Sequence, residues 1–212
     1  MKFLALDFET ADYGRDSACA LGMVRVEEGR VAARDVRLIR PPRRRFVFTY
    51  LHGISWEDVR GEPTFGELWP FVEPMFRDVD FLVAHNARFD RGVLETCCAR
   101  AGLEVPPTPF ACTMVLARRV WGMHPTNLAH VCRQLGIPLN HHEVSSDVEA
   151  CAEIMLRLSP HLAPPQTAPA RLSSRRTRAS ASPPDPPRGA PAPVNPPRRG
   201  NKPPFQGPAP AA

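Results

Sequence analysis

Two acidic residues interrupt an apolar segment close to the start of the chain. Asp7 and Glu9 stand two residues apart within Phe3–Thr10, whose other side chains are mostly apolar. Because successive side chains of a strand point to opposite faces, both carboxylates are expected on one face, about 7 Å apart. Carboxylates this close in a half-buried place need a proton or a cation, and Mg²⁺ and Mn²⁺ prefer oxygen ligands. The pair therefore predicts either a divalent-metal site or an exposed acidic strand end.

A third acidic residue follows a second apolar run. The segment Phe81–His85 predicts a buried strand, and Asn86 is placed to cap the helix that comes next. Asp90 then falls one helical turn further on, on the same side as Asn86. Two interpretations stay open for Asp90: a metal ligand, or a carboxylate that stabilises the positive end of the helix dipole.

The fourth acidic residue, Asp147, opens a predicted helix near residue 146. The apolar side chains of that helix repeat at helical spacing: Val148, Cys151, Ile154, Met155 and Leu158. His142 stands five residues before Asp147, on a loop from which it can reach the same site and accept a proton from water. His141, six residues before Asp147, is expected to be an ordinary loop residue. The alternative for the whole motif is a capped helix beside a surface pair of histidines.

The order D-x-E, D and H-x4-D resembles the DEDDh superfamily of 3′-to-5′ exonucleases. Successive blocks in residues 1 to 158 are similar to the proofreading epsilon subunit of bacterial DNA polymerase III and its stand-alone relatives. These blocks are FLALDFETAD, LHGISWEDVRGEPTFGELWPFVEPMF, LVAHNARFDRGVL, FACTMVLARR and NLAHVCRQLGIPLNHHEVSSDVEACAEI. The chain departs from the family in having Val144-Ser145 where Ala-Leu is usual, and in having two adjacent histidines.

The resemblance implies a mechanism with two divalent cations, Mg²⁺ or Mn²⁺. Asp7 is then expected to bridge both cations, with Glu9 and Asp147 completing the site of the cation that carries the attacking water. Asp90 is expected to support the second cation through water, and His142 to take the proton from the attacking water. The implied reaction releases nucleoside 5′-monophosphates from a 3′ end.

Five further residues are candidates for binding the substrate. The resemblance places His52 in a loop beside the 3′-terminal nucleotide, and Thr10 and Asn86 adjoin the acidic residues. Phe8 and Phe89 also adjoin these acids, and aromatic rings of single-strand-binding proteins stack on bases. The alternative for both rings is core packing.

Three functions are compatible with these residues. The first is an exonuclease acting on DNA 3′ ends, in proofreading or trimming, with a DNA polymerase subunit as a possible partner. The second is an RNA exonuclease of ribonuclease T or oligoribonuclease type. The third is a non-catalytic module that binds nucleic acid or a polymerase, against which the complete set of four acids and His142 argues.

The periodicity predicts an α/β fold in residues 1–159. Strands are expected at 2–9, 18–27, 30–39, 80–85 and 109–112, and helices at 64–77, 87–101, 113–121, 125–135 and 146–158. This order indicates a mixed sheet flanked by helices. It agrees with the ribonuclease-H-like fold that the resemblance implies.

Residues 160–212 have a different composition. They hold 16 of the 26 prolines, eight basic residues and a single acidic residue, Asp185, and they contain few large apolar side chains. Such a segment cannot build a core, so a disordered basic tail is expected. Two roles stay open: a leash that attracts nucleic acid, or an extension that binds nothing in particular. The basic loop Arg40 and Arg43–Arg45 is likewise either solvated or a guide for phosphates.

The remaining features concern the compartment. The six cysteines include no C-x-x-C pair and fall in apolar stretches, which indicates buried thiols in a reducing environment. The four apolar residues before Asp7 are too short for a signal-peptide core, and no apolar stretch approaches 18 residues. A cytoplasmic protein without membrane association is expected.

Overall fold

The computed structural model describes residues 1–162, so the predicted tail lies outside the described residues from residue 163 onward. The strands are β1 (Lys2–Thr10), β2 (Ala18–Glu27), β3 (Arg30–Leu38), β4 (Phe81–Ala84) and β5 (Phe110–Cys112). The helices are α1 (Thr49–His52), α2 (Trp56–Val59), α3 (Phe65–Phe76), α4 (Ala87–Ala101), α5 (Thr113–Trp121), α6 (Leu128–Leu135) and α7 (Val144–Leu158). A 3₁₀ turn, Ser159–His161, follows α7.

The five strands form one mixed sheet in the order β3-β2-β1-β4-β5. The hairpins β1–β2 and β2–β3 are antiparallel, whereas β4 runs parallel to both β1 and β5. The central strand β1 is therefore covered on both edges, and its carboxyl end lies beside that of β4. The predicted mixed sheet with flanking helices is confirmed.

The two faces of β1 pack against different helices. The even-numbered residues Leu4, Leu6 and Phe8 belong to a core that includes apolar side chains of α3 and α4. The odd-numbered residues Phe3 and Ala5 belong to a second core with side chains of α7. This alternation follows from the two-residue period of a strand, and it directs the next odd-numbered side chains toward α7.

Several element boundaries differ from the prediction. The short helices α1 and α2 were not expected, because a single turn carries too few residues to show helical periodicity. Helix α6 begins at Leu128 instead of near residue 125, since the side chain of Asn127 accepts a hydrogen bond from the His130 amide at 2.9 Å and caps the helix there. Helix α7 begins at Val144, two residues earlier than predicted.

The structure also shows the state of the cysteines and the character of the helices. All six cysteines are free thiols, and all but Cys112 are buried, as expected for small apolar side chains. Within the described residues, no helix combines the length and apolar character needed to cross a membrane.

Candidate active site

Asp7 and Glu9 lie on the face of β1 that looks toward α7. Both side chains are partly buried, while Leu6 and Phe8 between and beside them are buried on the opposite face. Carboxylate oxygens of Asp7, Glu9 and Asp147 all lie within 4.8 Å of one another. The structure thus brings together three of the four predicted acidic ligands.

A glycine on the neighbouring strand allows Asp147 to come this close. Gly22 pairs with Asp7 across the β1–β2 ladder. A Cβ atom on Gly22 would lie 2.8 Å from the Val144 carbonyl oxygen and 2.9 Å from the Val148 side chain. The first turn of α7 therefore rests directly on the backbone of β2, and this close packing places Asp147 beside Asp7.

Asp90 approaches the same strand from α4. It is 2% exposed, and its Oδ1 atom accepts a hydrogen bond from the Phe8 amide at 3.1 Å. Its carboxylate is not part of the 4.8 Å cluster, but Asp7 is close enough to disfavour its charge. Asp90 therefore lies next to Asp7, at the edge of the cluster. Asn86, the residue before α4, has a left-handed backbone (φ 75°) and its side chain makes no capping hydrogen bond.

The site strongly disfavours the ionised carboxylates. Burial, and then repulsion from Asp147, raises the pKa of Asp7 to about 7. Burial, followed by repulsion from Asp7 and Asp147, raises the pKa of Glu9 to about 8. Burial together with Asp7 raises the pKa of Asp90 above its usual range, although the Phe8 amide opposes the shift.

This charge arrangement fits divalent cations. Within residues 1–162, no lysine or arginine forms an ion pair with any of the four acids, and the one basic side chain in contact with them is His141, 3.1 Å from Asp147. Hard cations prefer carboxylate oxygens, and a cation among them lowers their pKa values and removes the cost of their burial. Asp7, Glu9 and Asp147 are the residues that can hold it.

Both histidines of the last motif lie at the cluster. His141 places Nδ1 at 3.1 Å from Asp147 Oδ2, and the His142 amide donates to the same oxygen at 3.0 Å. The two rings stack, with centroids 3.9 Å apart and planes inclined by 18°. His142 has a left-handed backbone (φ 72°). The side chains of His141 and His142 lie on the same side of the loop, where their rings stack. The contact between His141 and Asp147 was not expected from the spacing.

An exonuclease family model, that of the RNase T type, matches residues 4–155, which includes every residue of this site. The chain belongs to the DEDDh family of 3′-to-5′ exonucleases. The predicted resemblance and the enzyme class are therefore confirmed. The match begins within β1 and ends within α7, the two elements that carry three of the acids.

Curated relatives of this DEDDh exonuclease are much longer proteins. DNA polymerase III PolC-type of Clostridium perfringens is 31% identical over 160 residues, which is 73% of this chain and 11% of the relative. The 3′-5′ exonuclease DinG of Bacillus subtilis is 27% identical over 165 residues, 74% of this chain and 17% of the relative. The chain thus spans less than a fifth of the length of these two relatives.

Solved structures share the fold. Exonuclease X, in complex with 5′ overhanging duplex DNA, has a TM-score of 0.60 at 22% identity, covering 76% of this chain and 94% of that one. The nuclease domain of 3′hExo, a DEDDh family member bound to rAMP, has a TM-score of 0.64 at 16% identity, covering 76% and 92%. The ribonuclease-H-like exonuclease fold is thereby confirmed.

In this DEDDh exonuclease the predicted substrate loop is fastened to the end of β1. His52 Nε2 lies 3.2 Å from the Thr10 carbonyl oxygen, and the Ile54 amide donates to His52 Nδ1 at 3.1 Å. The Nδ1 atom is thus the acceptor, so Nε2 carries the proton that it donates to Thr10. Burial lowers the pKa of His52, and the nearby His142 adds to the shift. His52 is thus held against the carboxyl end of β1 and near His142, and its contact with a substrate stays a prediction.

The two predicted aromatic contacts differ in accessibility. The ring of Phe8 is 3% exposed and packs against Phe65 at 6.4 Å between centroids, so in this structure Phe8 follows the core alternative. Because the Asp7 side chain points to one face of β1, the side chain of its neighbour Phe8 points to the opposite face. Phe89 is 38% exposed beside Asp90 and can contact a substrate.

Two positions near the site were missed by sequence reasoning. His85 follows the carboxyl end of β4; its Nε2 donates to the Thr126 carbonyl at 2.8 Å and Nδ1 lies 2.8 Å from Thr113 Oγ1. Burial lowers the pKa of His85, while Asp147 acts in the opposite direction. The available signal for His85 was its place in the sequence, as a polar residue at the end of a predicted strand and shortly before Asp90. For Gly22 the sequence offers none, because its role depends on how α7 packs.

Proposed function

We propose that this DEDDh exonuclease hydrolyses DNA 3′ ends with the help of two divalent cations, Mg²⁺ or Mn²⁺, and releases nucleoside 5′-monophosphates. The observation that carries the proposal is the cluster of Asp7, Glu9 and Asp147 oxygens, held within 4.8 Å of one another with no lysine or arginine of residues 1–162 paired to them. Such cations supply positive charge for the transition state and a lowered pKa for the attacking water.

Each acidic residue has a distinct part in this proposal. Asp7, at the centre of the cluster, would bridge the cations, and Glu9 and Asp147 would hold the cation on the α7 side. Asp90 would support the second cation from α4, where the Phe8 amide fixes one of its oxygens at 3.1 Å and leaves the other available. The four acids are carried by β1, α4 and α7, and these regular elements keep the proposed ligands in place.

The proton acceptor in this proposal is His142. Its main chain is anchored to Asp147 at 3.0 Å, and its ring stacks on His141, so the ring is held beside the cluster. A histidine suits the role because its pKa lies near neutral pH. His141 would orient Asp147 through its contact at 3.1 Å.

DNA is the favoured substrate because curated relatives of the chain include DNA polymerase III PolC-type proteins. In those relatives the matching region is a small part of a much longer chain. A separate DNA polymerase subunit as a partner of this chain is a further part of the proposal, and co-purification with such a subunit would test it.

The substrate is tested by digesting three oligonucleotides labelled at the 5′ end: single-stranded DNA, a duplex with a mismatched 3′ end, and RNA. Mg²⁺ or Mn²⁺ is added, and EDTA serves as the control. We expect a ladder that shortens from the 3′ end, with 5′-monophosphates as products and faster digestion of DNA. Faster digestion of RNA would overturn the DNA assignment, and full activity in EDTA would overturn the metal assignment.

A further inference from the structure

Arg43, near the carboxyl end of β1, already has acidic partners. Arg43 donates four hydrogen bonds of 2.6–2.9 Å to the carboxylates of Asp12 and Asp16. Asp12 is 5% exposed, and the Arg43 guanidinium lowers its pKa to about 2. Arg43 therefore holds a loop together, and its donors are not available to guide a phosphate as one interpretation of the sequence suggested.

Arg15 and Arg88 are different. Both are exposed, and neither forms an ion pair or a side-chain hydrogen bond with any residue of the described range 1–162. Arg91, on the same helix as Arg88, is by contrast paired with Glu95 at 2.7 Å. Two arginines without acidic partners beside a nuclease site are candidates for binding anionic substrate.

The side chain of Arg15, which belongs to the loop between β1 and β2, lies against α4 near Arg88. Arg15 crosses the helix at Gly92: a Cβ atom there would be 1.7 Å from Arg15 Nη1 and 3.1 Å from its Cδ. Gly92 follows Arg88 by four residues and Phe89 by three, so all three positions are neighbours on the helix surface. Gly92 itself is buried, since Arg15 covers it. The result is a surface of Arg15, Arg88 and the exposed ring of Phe89.

This surface lies beside Asp90, and ion pairs on both sides of Arg15 hold its backbone. Asp90, which contacts β1, belongs to the same first turns of α4 as Arg88 and Phe89. Arg15 lies between Asp12 and Asp16, the two residues that Arg43 clamps, so its backbone is fixed on both sides. A residue whose backbone is already fixed loses less conformational freedom when its side chain binds.

We propose that Arg15 and Arg88 bind phosphates of the strand upstream of the 3′-terminal nucleotide, with Phe89 beneath a sugar or base between them. The inference rests on the proposed function, because it takes the 3′ end to lie at the acidic cluster. Phosphate contacts position a strand without reading its sequence. The surface would therefore favour long substrates over dinucleotides, whatever their sequence.

The test compares the double variant Arg15→Gln/Arg88→Gln with a matched control, Arg30→Gln/Arg91→Gln. Both variants lose two exposed arginines. In the control, Arg30 lies at the start of β3, and Arg91 lies on α4, where it pairs with Glu95. KM is measured for a DNA dinucleotide and a dodecanucleotide. We expect the double variant to lose most of the advantage of the dodecanucleotide and the control to keep it.

Binding provides a readout that is independent of hydrolysis. Anisotropy of the labelled dodecanucleotide is measured in EDTA across a salt series. Each lost phosphate contact on a single strand lowers the log–log salt slope by about 0.7, so the double variant should fall by about 1.4. Equal slopes for the double variant and the control would overturn the inference. Absence of any hydrolysis by the wild-type protein would overturn the proposed function and leave the binding comparison valid.

Gly92→Ala is a second variant that keeps both arginines. Alanine favours a helix more than glycine does, so the melting temperature should not fall. The new Cβ atom must nevertheless displace the end of the Arg15 side chain. We expect the salt slope of Gly92→Ala to fall as far as that of Arg15→Gln alone. A wild-type slope would show that Arg15 does not act from its place over Gly92.

Discussion

Gly22 stands opposite Asp7 across the β1–β2 ladder, and the first turn of α7 rests on its backbone. The absence of a side chain at this one position sets the separation between the helix that carries Asp147 and the strand that carries Asp7. Because oxygens of Asp7, Glu9 and Asp147 lie within 4.8 Å of one another, a small shift of α7 would pull the cluster apart.

Gly22→Ala should therefore lower both stability and turnover. Its Cβ atom would lie 2.8 Å from the Val144 carbonyl, which belongs to the backbone and cannot rotate away. Overpacking of this kind costs about 1–3 kcal/mol of the free energy of unfolding. Turnover is measured well below the melting temperature, so that unfolding does not contribute. Gly61→Ala, where a Cβ atom meets nothing within 4 Å, is the control. Wild-type turnover in Gly22→Ala would contradict this role.

Asp7→Ala should abolish hydrolysis while the fold is kept. It removes the proposed bridging ligand, and in the protein without metal it also relieves repulsion among buried carboxylates. Loss of transition-state charge stabilisation costs at least a factor of ~10²–10³ in turnover. Melting in EDTA should show Asp7→Ala at least as stable as the wild type. The exposed Glu104→Gln serves as the control for loss of one acid. Turnover above about a tenth of the wild-type value would argue against the metal assignment.

The site also shows which parts of the structure the sequence predicts. Asp7 and Glu9 were expected on one face because strand periodicity is local and has a fixed period of two. The place of Asp147 was expected only from family resemblance, since its approach depends on packing against Gly22. The contact of His141 with Asp147 was not expected, because the left-handed backbone of His142 is a property of the folded loop.

Stability of the metal-free protein should fall as the pH rises from about 4 to about 8. The pKa of Asp7 is raised to about 7 and that of Glu9 to about 8, above their values in the unfolded chain. Within this window the folded protein binds more protons than the unfolded one, so each rise in pH favours unfolding. Urea denaturation in EDTA at several pH values measures the effect.

The double variant Asp7→Asn/Glu9→Gln is the control for this pH dependence, because its amides do not titrate. We expect its free energy of unfolding to change less over the same pH window. Added Mn²⁺ should restore stability to the wild type at pH 8 and leave the double variant nearly unaffected, since the ligands are gone. His52 and His85, whose pKa values burial lowers, act in the opposite direction in both proteins, so a wild type that loses no more stability than the double variant between pH 5 and pH 8 would contradict the pKa shifts of Asp7 and Glu9.

The two histidines should be separable by kinetics. His142→Ala removes the proposed proton acceptor, a loss of about 10²–10⁴ in turnover, whereas the concentration of Mn²⁺ at half-maximal activity should stay near the wild-type value. His141→Ala removes the contact with Asp147 at 3.1 Å and the ring that stacks on His142, so we expect a smaller loss of turnover than in His142→Ala and a higher requirement for Mn²⁺. The measurement is a Mn²⁺ titration of initial rates for both variants. A large loss of turnover in His141→Ala with a near-normal His142→Ala would transfer the role of proton acceptor to His141.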